Sequence, residues 1–130
     1  MASIFTKIVN GEIPCYKIAE TKDYLAFLDI SPLAKGHTLV IPKKEIDYLF
    51  DINDELYREL FLFTKSVAKA IEQAVPCKRI GVTVIGLEVP HAHIHLIPIN
   101  KVGDINFSNP KLKFSEKEFS EVAEKIRSCF

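Results

Sequence analysis

The clearest pattern of hydrophobic positions along the chain is helical and lies in its middle. Between Asp54 and Ala74, apolar residues recur every three or four positions, which is the repeat of a helix with one buried face. Asn53 precedes this run as a favoured N-cap, and acidic residues follow it where the helix dipole favours negative charge. A second amphipathic run follows the Ser-Glu-Lys-Glu capping box at residues 115–118. The pattern therefore predicts one long helix and a shorter terminal helix.

Shorter runs rich in β-branched and aromatic residues predict strands on both sides of the long helix. With turns or loops between them, the predicted strands lie at residues 15–20, 24–28, 37–41, 79–85 and 91–97. The run at 4–9 predicts a short apolar turn, and residues 101–113, which contain Gly, Pro and Asn, predict a loop. The predicted fold class is α+β, with about five antiparallel strands, the long helix packed across one face and the shorter helix at the end.

Composition and charge narrow the classes of function. A length of 130 residues predicts a single domain, residues 1–130, that folds without disulfides or a structural metal. With 17 basic and 17 acidic side chains the formal net charge is zero, so we expect no nucleic-acid partner and no membrane surface as partner. Three widely spaced cysteines predict reduced thiols, and no signal region or membrane-spanning apolar run is present. These features predict a cytoplasmic protein.

Histidines occur at two places in the chain. His37 stands at the predicted start of a strand, whereas His91, His93 and His95, the histidine triplet, alternate with hydrophobic residues. On a strand, this alternation sends the three rings to one face and the hydrophobic side chains to the other. Because three adjacent imidazoles are costly to place for packing alone, the triplet predicts a functional site.

Two kinds of chemistry are open to the histidine triplet. Imidazole is a common zinc ligand, and three histidines with a water form a catalytic zinc geometry. However, residues i and i+4 of a strand lie roughly 13 Å apart, so three such rings rarely reach one ion. In the alternative, a neutral imidazole attacks phosphorus while flanking rings donate to the phosphate oxygens. We favour the second chemistry and predict no metal site.

The triplet and three upstream segments also carry a family resemblance. Residues 91–97, His-Ala-His-Ile-His-Leu-Ile, resemble the signature of the histidine triad (HIT) superfamily. Residues 4–14, 26–32 and 36–43 are similar to the family's opening segment and its next two blocks, in the same order. The Hint-like branch of the family is nearest. The resemblance implies a HIT-like fold, a homodimer, and a nucleotidyl hydrolase or transferase that acts on purine nucleoside phosphates.

The resemblance implies a role for individual residues of this chain. By position, His93 is the nucleophile that forms a nucleotidyl-histidine, and His95 donates to the α-phosphate. His91 supports the site by hydrogen bonding, and His37 orders the triplet from the neighbouring strand. Asp29 holds the ribose hydroxyls, since a carboxylate accepts two hydrogen bonds. The residues implied to form the apolar slot for the base are Ile4, Phe5, Ile8, Phe27 and Ile30.

The turn before the triplet departs from the family pattern. Where many relatives have Gly-Gln-Ser/Thr-Val, residues 86–89 are Gly-Leu-Glu-Val. An amide is lost at Leu87, and Glu88 places an anion beside the expected phosphate, whereas the backbone N–H of Val89 is retained as a phosphate donor. We expect Glu88 to face a cationic part of the substrate or to act as an acid for an amine leaving group. Glu45 stands where a histidine is common in the family, and we expect this difference to matter little.

Several functions are therefore open. The first is two-step hydrolysis of purine nucleoside 5′-phosphoramidates or related nucleotidyl conjugates, which requires no cofactor and releases a nucleoside monophosphate. The second is Fhit-like hydrolysis of dinucleoside polyphosphates, to which Mg²⁺ can be bound as a counterion. The third is a nucleotide-binding regulatory module with little turnover, which Leu87 and Glu88 favour. A metalloprotein would instead bind stoichiometric zinc and lose function with a chelator.

Overall fold

Residues 2–130, described by a computed structural model, form a five-stranded antiparallel sheet with three α-helices. The strands are β1 (Lys17–Glu20), β2 (Tyr24–Leu28), β3 (Thr38–Pro42), β4 (Arg79–Thr83) and β5 (Ile94–Ile99). The helices are α1 (Ile4–Val9), α2 (Asp54–Ala74) and α3 (Glu116–Arg127), with 3₁₀ turns at Leu49–Asp51 and Val102–Ile105. The predicted α+β class, with one long and one C-terminal helix, is confirmed. Among these residues, none of the helices is long and apolar enough to cross a lipid bilayer.

The strand order β1-β2-β3-β5-β4 places β5 inside the sheet. His95 of β5 pairs with Leu39 of β3 on one side and with Thr83 of β4 on the other. Pairing on both sides holds the last histidine of the triplet in a fixed register. β1 and β4 form the two edges of the sheet.

The main core lies between the two long helices and one face of the sheet. α2 begins where the sequence predicts, because the Asn53 side chain accepts a hydrogen bond from the Leu56 amide at 2.9 Å. The fully buried residues at the centre of this core are Leu60, Val67 and Ile71 of α2, with Val40, Ile94 and Leu96 of the sheet. Each large aliphatic side chain buried there contributes about 1.5–3 kcal/mol to the hydrophobic stabilisation.

A second, smaller core lies on the opposite face of the sheet, under α1. Its buried members are Phe5, Leu25, Phe27, Leu39 and Ile41. Residues 4–9 form a helix rather than the predicted turn, because the Ser3 hydroxyl caps them and accepts from the Thr6 amide. A six-residue segment is too short for a helical repeat to be recognised in the sequence.

The sequence predicted one strand through the whole histidine triplet, but only His95 of the three lies on a strand. β5 begins at Ile94, after a bend at residues 87–91 and two residues outside regular structure, of which Ala92 donates its amide to the carbonyl of Ile46 at 2.7 Å. The alternation of polar and apolar residues therefore extends beyond the strand. β4 likewise ends at Thr83 rather than at Ile85.

Gly36 lies in the loop before β3, in a backbone conformation that other residues rarely adopt. Its φ is +89°, and a Cβ placed there would lie 2.9 Å from Cγ2 of Val75. We expect Gly36→Ala to lower the free energy of unfolding by about 2–5 kcal/mol, of which about 1–2 arises from the left-handed backbone and the rest from overpacking.

Gly11→Ala is the matched control for this substitution. Gly11 has a φ of +77°, and no atom lies within 4 Å of the added Cβ, so this variant loses the backbone contribution alone. Chemical denaturation of both variants measures the difference. Equal losses of stability would contradict the role of the contact with Val75.

Candidate active site

A cavity of about 370 Å³ opens beside the smaller core, on the α1 side of the sheet. This volume falls within the range of about 300–1,000 Å³ typical of small-molecule sites. All five residues predicted to form the apolar slot line it: Ile4, Phe5, Ile8, Phe27 and Ile30. Phe5 and Phe27 contact each other edge to face, with ring centroids 5.7 Å apart, whereas Ile4 and Ile30 are 48% and 70% exposed. The exposed pair is therefore available to a flat apolar ligand.

His93 lies in this cavity with its hydrogen fixed on one ring nitrogen. Its Nδ1 atom is 2.8 Å from the carbonyl oxygen of His91. Because a carbonyl only accepts hydrogen bonds, Nδ1 carries the hydrogen and the neutral ring has its lone pair on Nε2. The Phe5 ring contacts His93 edge to face at 4.9 Å and restrains its plane. A nucleophilic imidazole requires this tautomer.

A chain of hydrogen bonds sets the hydrogen of His95. The Leu33 amide donates to Nδ1 of His37 at 3.0 Å, so the hydrogen of neutral His37 is on Nε2. That atom lies 3.0 Å from Nδ1 of His95 and donates to it. His95 consequently carries its own hydrogen on Nε2, where it can be donated to an anion in the cavity.

Burial keeps His37 and His95 neutral at pH 7. Burial of the ring away from water disfavours its charged form and, with a smaller repulsion from His95 and Lys111, lowers the pKa of His37 to about 3. Loss of solvent, followed by repulsion from His93, lowers the pKa of His95 to about 4. Neutral rings are needed for the hydrogen-bond chain, since a protonated His95 could not accept from His37.

These lowered pKa values predict a loss of stability in mild acid. As the pH falls below the usual histidine value of 6.5, the unfolded chain takes up protons that the folded chain binds only near pH 3 to 4. The free energy of unfolding should therefore decrease through this window, although the raised pKa of Asp29 acts in the opposite direction as its carboxyl group protonates. Thermal unfolding measured from pH 8 to pH 4 should show a falling Tm.

The variant His37→Asn tests the origin of this pH dependence. It removes one buried titrating group and retains a side-chain acceptor for the Leu33 amide. We expect the Tm of the variant to fall less steeply below pH 6.5 than that of the wild type. Identical slopes would show that His37 does not contribute.

Asp29 lies beside His37 and His95 at the edge of the cavity. Its Oδ2 atom is 3.5 Å from Nε2 of His37, and its Oδ1 accepts from the Ser31 amide at 2.8 Å. Burial raises the pKa of the carboxyl group, and the bond from Ser31 opposes this rise. One potential metal-binding atom from each of Asp29, His37 and His95 lies within 4.8 Å of the other two. The sequence did not predict this grouping. A metal held there would displace the hydrogen shared by the two imidazoles.

His91 lies on the same side of the sheet but is fully buried behind the cavity. Its Nε2 atom donates to the carbonyl of Pro42 at 2.8 Å, and its Nδ1 accepts from the Ser3 hydroxyl at 2.9 Å. The ring centroids of His93 and His95 are 4.9 Å apart at the cavity. Of the three rings predicted to share one face, two therefore line the cavity, and the third lies behind them.

The turn before the triplet contributes to the cavity as expected from its position. Glu88 and Val89 line it together with His93. Leu87, by contrast, is 88% exposed and does not line the cavity. The departure from the family pattern thus brings one new charge into the site.

The loop at residues 101–113 contributes Phe107 and Lys111 to the cavity. The sequence predicted no function for this loop. The ring of Phe107 lies edge to face with His95 at 4.9 Å, and Nζ of Lys111 is 5.8 Å from the centroid of Phe107. Lys111 is close enough to Asp29 to oppose the rise of its pKa. The one signal in the sequence is the aromatic residue Phe107 between two polar residues, since binding residues often lie on loops.

Comparison with known proteins identifies the family. The sequence profile described as HIT domain matches residues 10–102. The adenosine 5′-monophosphoramidase hnt1 of Schizosaccharomyces pombe is 39% identical over 131 residues, with 98% of each chain covered. The chain belongs to the HIT family, as the resemblance predicted.

Solved structures share the fold. A Hit-like protein from Bartonella henselae, described as involved in cell-cycle regulation, superposes with a TM-score of 0.86 at 33% identity, covering 98% of this chain and 96% of that one. A zinc-bound histidine triad family protein from Mycobacterium smegmatis gives a TM-score of 0.84 at 25% identity, covering 99% and 93%. The predicted HIT-like fold is therefore confirmed.

Proposed function

We propose that this protein is a hydrolase that cleaves purine nucleoside 5′-phosphoramidates, or related nucleotidyl conjugates, through a nucleotidyl-histidine intermediate. The observation that carries the proposal is the hydrogen bond from Nδ1 of His93 to the carbonyl of His91, which leaves the Nε2 lone pair free to attack. The name of the Schizosaccharomyces pombe relative, adenosine 5′-monophosphoramidase, supports the P–N bond as the target.

In the proposed complex, each part of the nucleotide meets a suitable part of the cavity. The base occupies the apolar slot beneath α1, and the ribose hydroxyls donate to Asp29. The α-phosphate lies at His93, where Nε2–H of His95 and the backbone N–H of Val89 donate to its oxygens. Glu88 is proposed to face a cationic or amine leaving group.

The first step forms a covalent intermediate. The lone pair on Nε2 of His93 makes a bond to the α-phosphorus as the bond from phosphorus to the leaving nitrogen breaks. The electron pair of that bond stays on the nitrogen, which takes up a proton from solvent and departs as an amine. The positive charge that develops on His93 is stabilised by its hydrogen bond to the His91 carbonyl, and His95 stabilises the negative charge on phosphate.

The second step regenerates the enzyme. Water attacks the same phosphorus and loses a proton to solvent, while the bond to Nε2 breaks and its electron pair returns to the ring of His93. The product is a nucleoside monophosphate. The proposed reaction requires no cofactor, and Mg²⁺ would enter only as the counterion of a polyphosphate substrate.

A Fhit-like dinucleoside polyphosphate hydrolase is the second candidate, and Lys111 is the observation that favours it. An ammonium group at the cavity can neutralise phosphates beyond the first. Glu88 opposes such a substrate through like-charge repulsion. A regulatory module that binds nucleotide with little turnover is the third candidate, because Glu88 adds negative charge where the phosphate is proposed to bind.

We further propose a single-domain, cytoplasmic homodimer with no nucleic-acid or membrane partner. The edge strand β4 presents Val82, which is 53% exposed, and unpaired strand edges of this kind readily join those of a second copy. The zero net charge gives no general attraction to nucleic acid or to anionic lipid.

Hydrolysis of a fluorogenic adenosine 5′-phosphoramidate, with and without chelator, tests the proposed function. We expect release of the fluorophore that the chelator does not affect, and slower cleavage of a dinucleoside polyphosphate. Faster cleavage of the polyphosphate would favour the second candidate. Tight binding of nucleoside monophosphate without turnover would favour the third, and loss of activity with chelator would instead indicate a metal at Asp29, His37 and His95.

A further inference from the structure

Glu45 contacts the beginning of α1, although it is exposed and lies in the segment between β3 and α2. Its Oε1 atom accepts from the backbone amide of Ser3 and from the hydroxyl of Thr6, both at 2.6 Å. These bonds lower the pKa of the Glu45 carboxyl group to about 2, with the Thr6 hydroxyl as the largest cause. Glu45 is therefore a carboxylate at neutral pH and accepts both hydrogen bonds in its charged form.

Ser3 and Thr6 connect Glu45 to His91. The Ser3 hydroxyl lies 2.9 Å, and the Thr6 hydroxyl 3.3 Å, from Nδ1 of His91. Thr6 gives its hydrogen to the carboxylate, which is the stronger acceptor, so Ser3 is the hydroxyl that donates to His91. Nδ1 is free to accept, because the hydrogen of this ring is on Nε2, bonded to the carbonyl of Pro42.

His91 in turn contacts His93 through its backbone. The carbonyl of His91 accepts the Nδ1–H of His93, and the Phe5 ring contacts both imidazoles, with centroids 5.9 Å from His91 and 4.9 Å from His93. A displacement of α1, which carries Phe5, or of the His91 backbone therefore moves the groups that hold the plane and the hydrogen of His93.

We propose that Glu45 is a positioning residue for His91 and His93: by fixing the Ser3 amide and the Thr6 hydroxyl, it holds α1 and the Ser3 hydroxyl in place, and through Phe5 and His91 it keeps His93 in the orientation needed for attack. The effect on rate rests on the proposed function, whereas the effect on the hydrogen bond to His91 does not. The carboxylate itself touches no substrate.

The variants Glu45→Ala and Glu45→Gln test this proposal, with Asp47→Asn as the control, since Asp47 is an exposed carboxylate two residues along the same segment. We expect Glu45→Ala to lower kcat about tenfold with KM within about twofold, because a displaced nucleophile loses rate rather than affinity. Glu45→Gln keeps an acceptor oxygen and should recover most of kcat. Asp47→Asn should behave as the wild type.

The ring-nitrogen shifts of His91, measured by ¹⁵N NMR, give a readout independent of activity. In both the wild type and Glu45→Ala we expect Nδ1 unprotonated and Nε2 protonated, since Nε2 donates to the Pro42 carbonyl. In Glu45→Ala we expect the Nδ1 signal to shift, because the Ser3 hydroxyl is no longer held against that atom. Unchanged His91 signals in Glu45→Ala, or a raised KM with unchanged kcat, would overturn the proposal and reduce Glu45 to an anchor for α1. A wild type without phosphoramidase activity would refute the proposed function, while the NMR result would still decide the role of Glu45.

Discussion

The variant His93→Ala is expected to lose turnover of an adenosine 5′-phosphoramidate by about 10³-fold or more, while the affinity for nucleoside monophosphate changes little. In the proposed mechanism the ring supplies the attacking atom, and nothing else in the cavity replaces it. Binding depends on the slot beneath α1 and on Asp29, neither of which the substitution alters. The measurements are steady-state hydrolysis and calorimetric titration with nucleoside monophosphate.

A covalent trap makes this prediction sharper. Rapid quenching of the wild type, followed by mass spectrometry, should reveal a nucleotidyl group on the peptide that contains His93, and the variant should show none. His95→Ala is the matched control, since it loses the proposed donor to phosphate but keeps the nucleophile and should retain the adduct at a reduced rate. A His93→Ala variant with more than about a tenth of the wild-type kcat would exclude this residue as the nucleophile.

The variant Ile94→Ala is expected to lower the free energy of unfolding by about 2–5 kcal/mol. Ile94 is fully buried in the main core, and its truncation leaves a cavity that the surrounding side chains of α2 and the sheet fill only in part. Ile94 also stands between His93 and His95 and pairs with Val40 at the start of β5. Relaxation of the core around the truncated side chain should therefore displace both imidazole rings. We therefore expect reduced activity even at temperatures where the variant stays folded.

Urea denaturation and activity at a fixed folded fraction separate these two effects. Ile94→Val removes one methyl group and should cost about 0.5–1.5 kcal/mol with activity nearly retained. Leu62→Ala on the exposed face of α2 is the control and should change the free energy of unfolding by about 0.5 kcal/mol or less. A loss below 1 kcal/mol for Ile94→Ala would show that the site is not supported by the core beneath it.

The long helix shows what sequence alone can predict. α2 runs from Asp54 to Ala74, the bounds set by its apolar repeat, its Asn53 cap and Pro76 after it. These signals are local, so neighbouring residues are enough to read them. The residues predicted for the apolar slot line one cavity together with His93 and His95, and the segments that carry the family resemblance are those that meet there.

What the sequence did not predict depends on contacts between distant segments. The role of Glu45 requires knowledge that it meets Ser3 across 42 positions, and the place of Phe107 requires the path of a loop without periodicity. β5 begins only at Ile94, since the Ala92 amide is bonded to the carbonyl of Ile46 rather than to a neighbouring strand, and no alternation of residues reveals this contact. Asp29 was expected beside the ribose, but its grouping with His37 and His95 appears only in three dimensions.

The shortness of α1 has a consequence for how the protein loses its function. Six residues do not form a stable helix by themselves, so α1 persists through Phe5 in the smaller core and through the contacts of Ser3 and Thr6 with Glu45. This segment therefore belongs to the least protected part of the molecule and can detach while the main core stays folded. A sample can then show an unchanged cooperative melting transition and yet have lost one wall of its binding site, so integrity at the N-terminus must be checked separately from global stability.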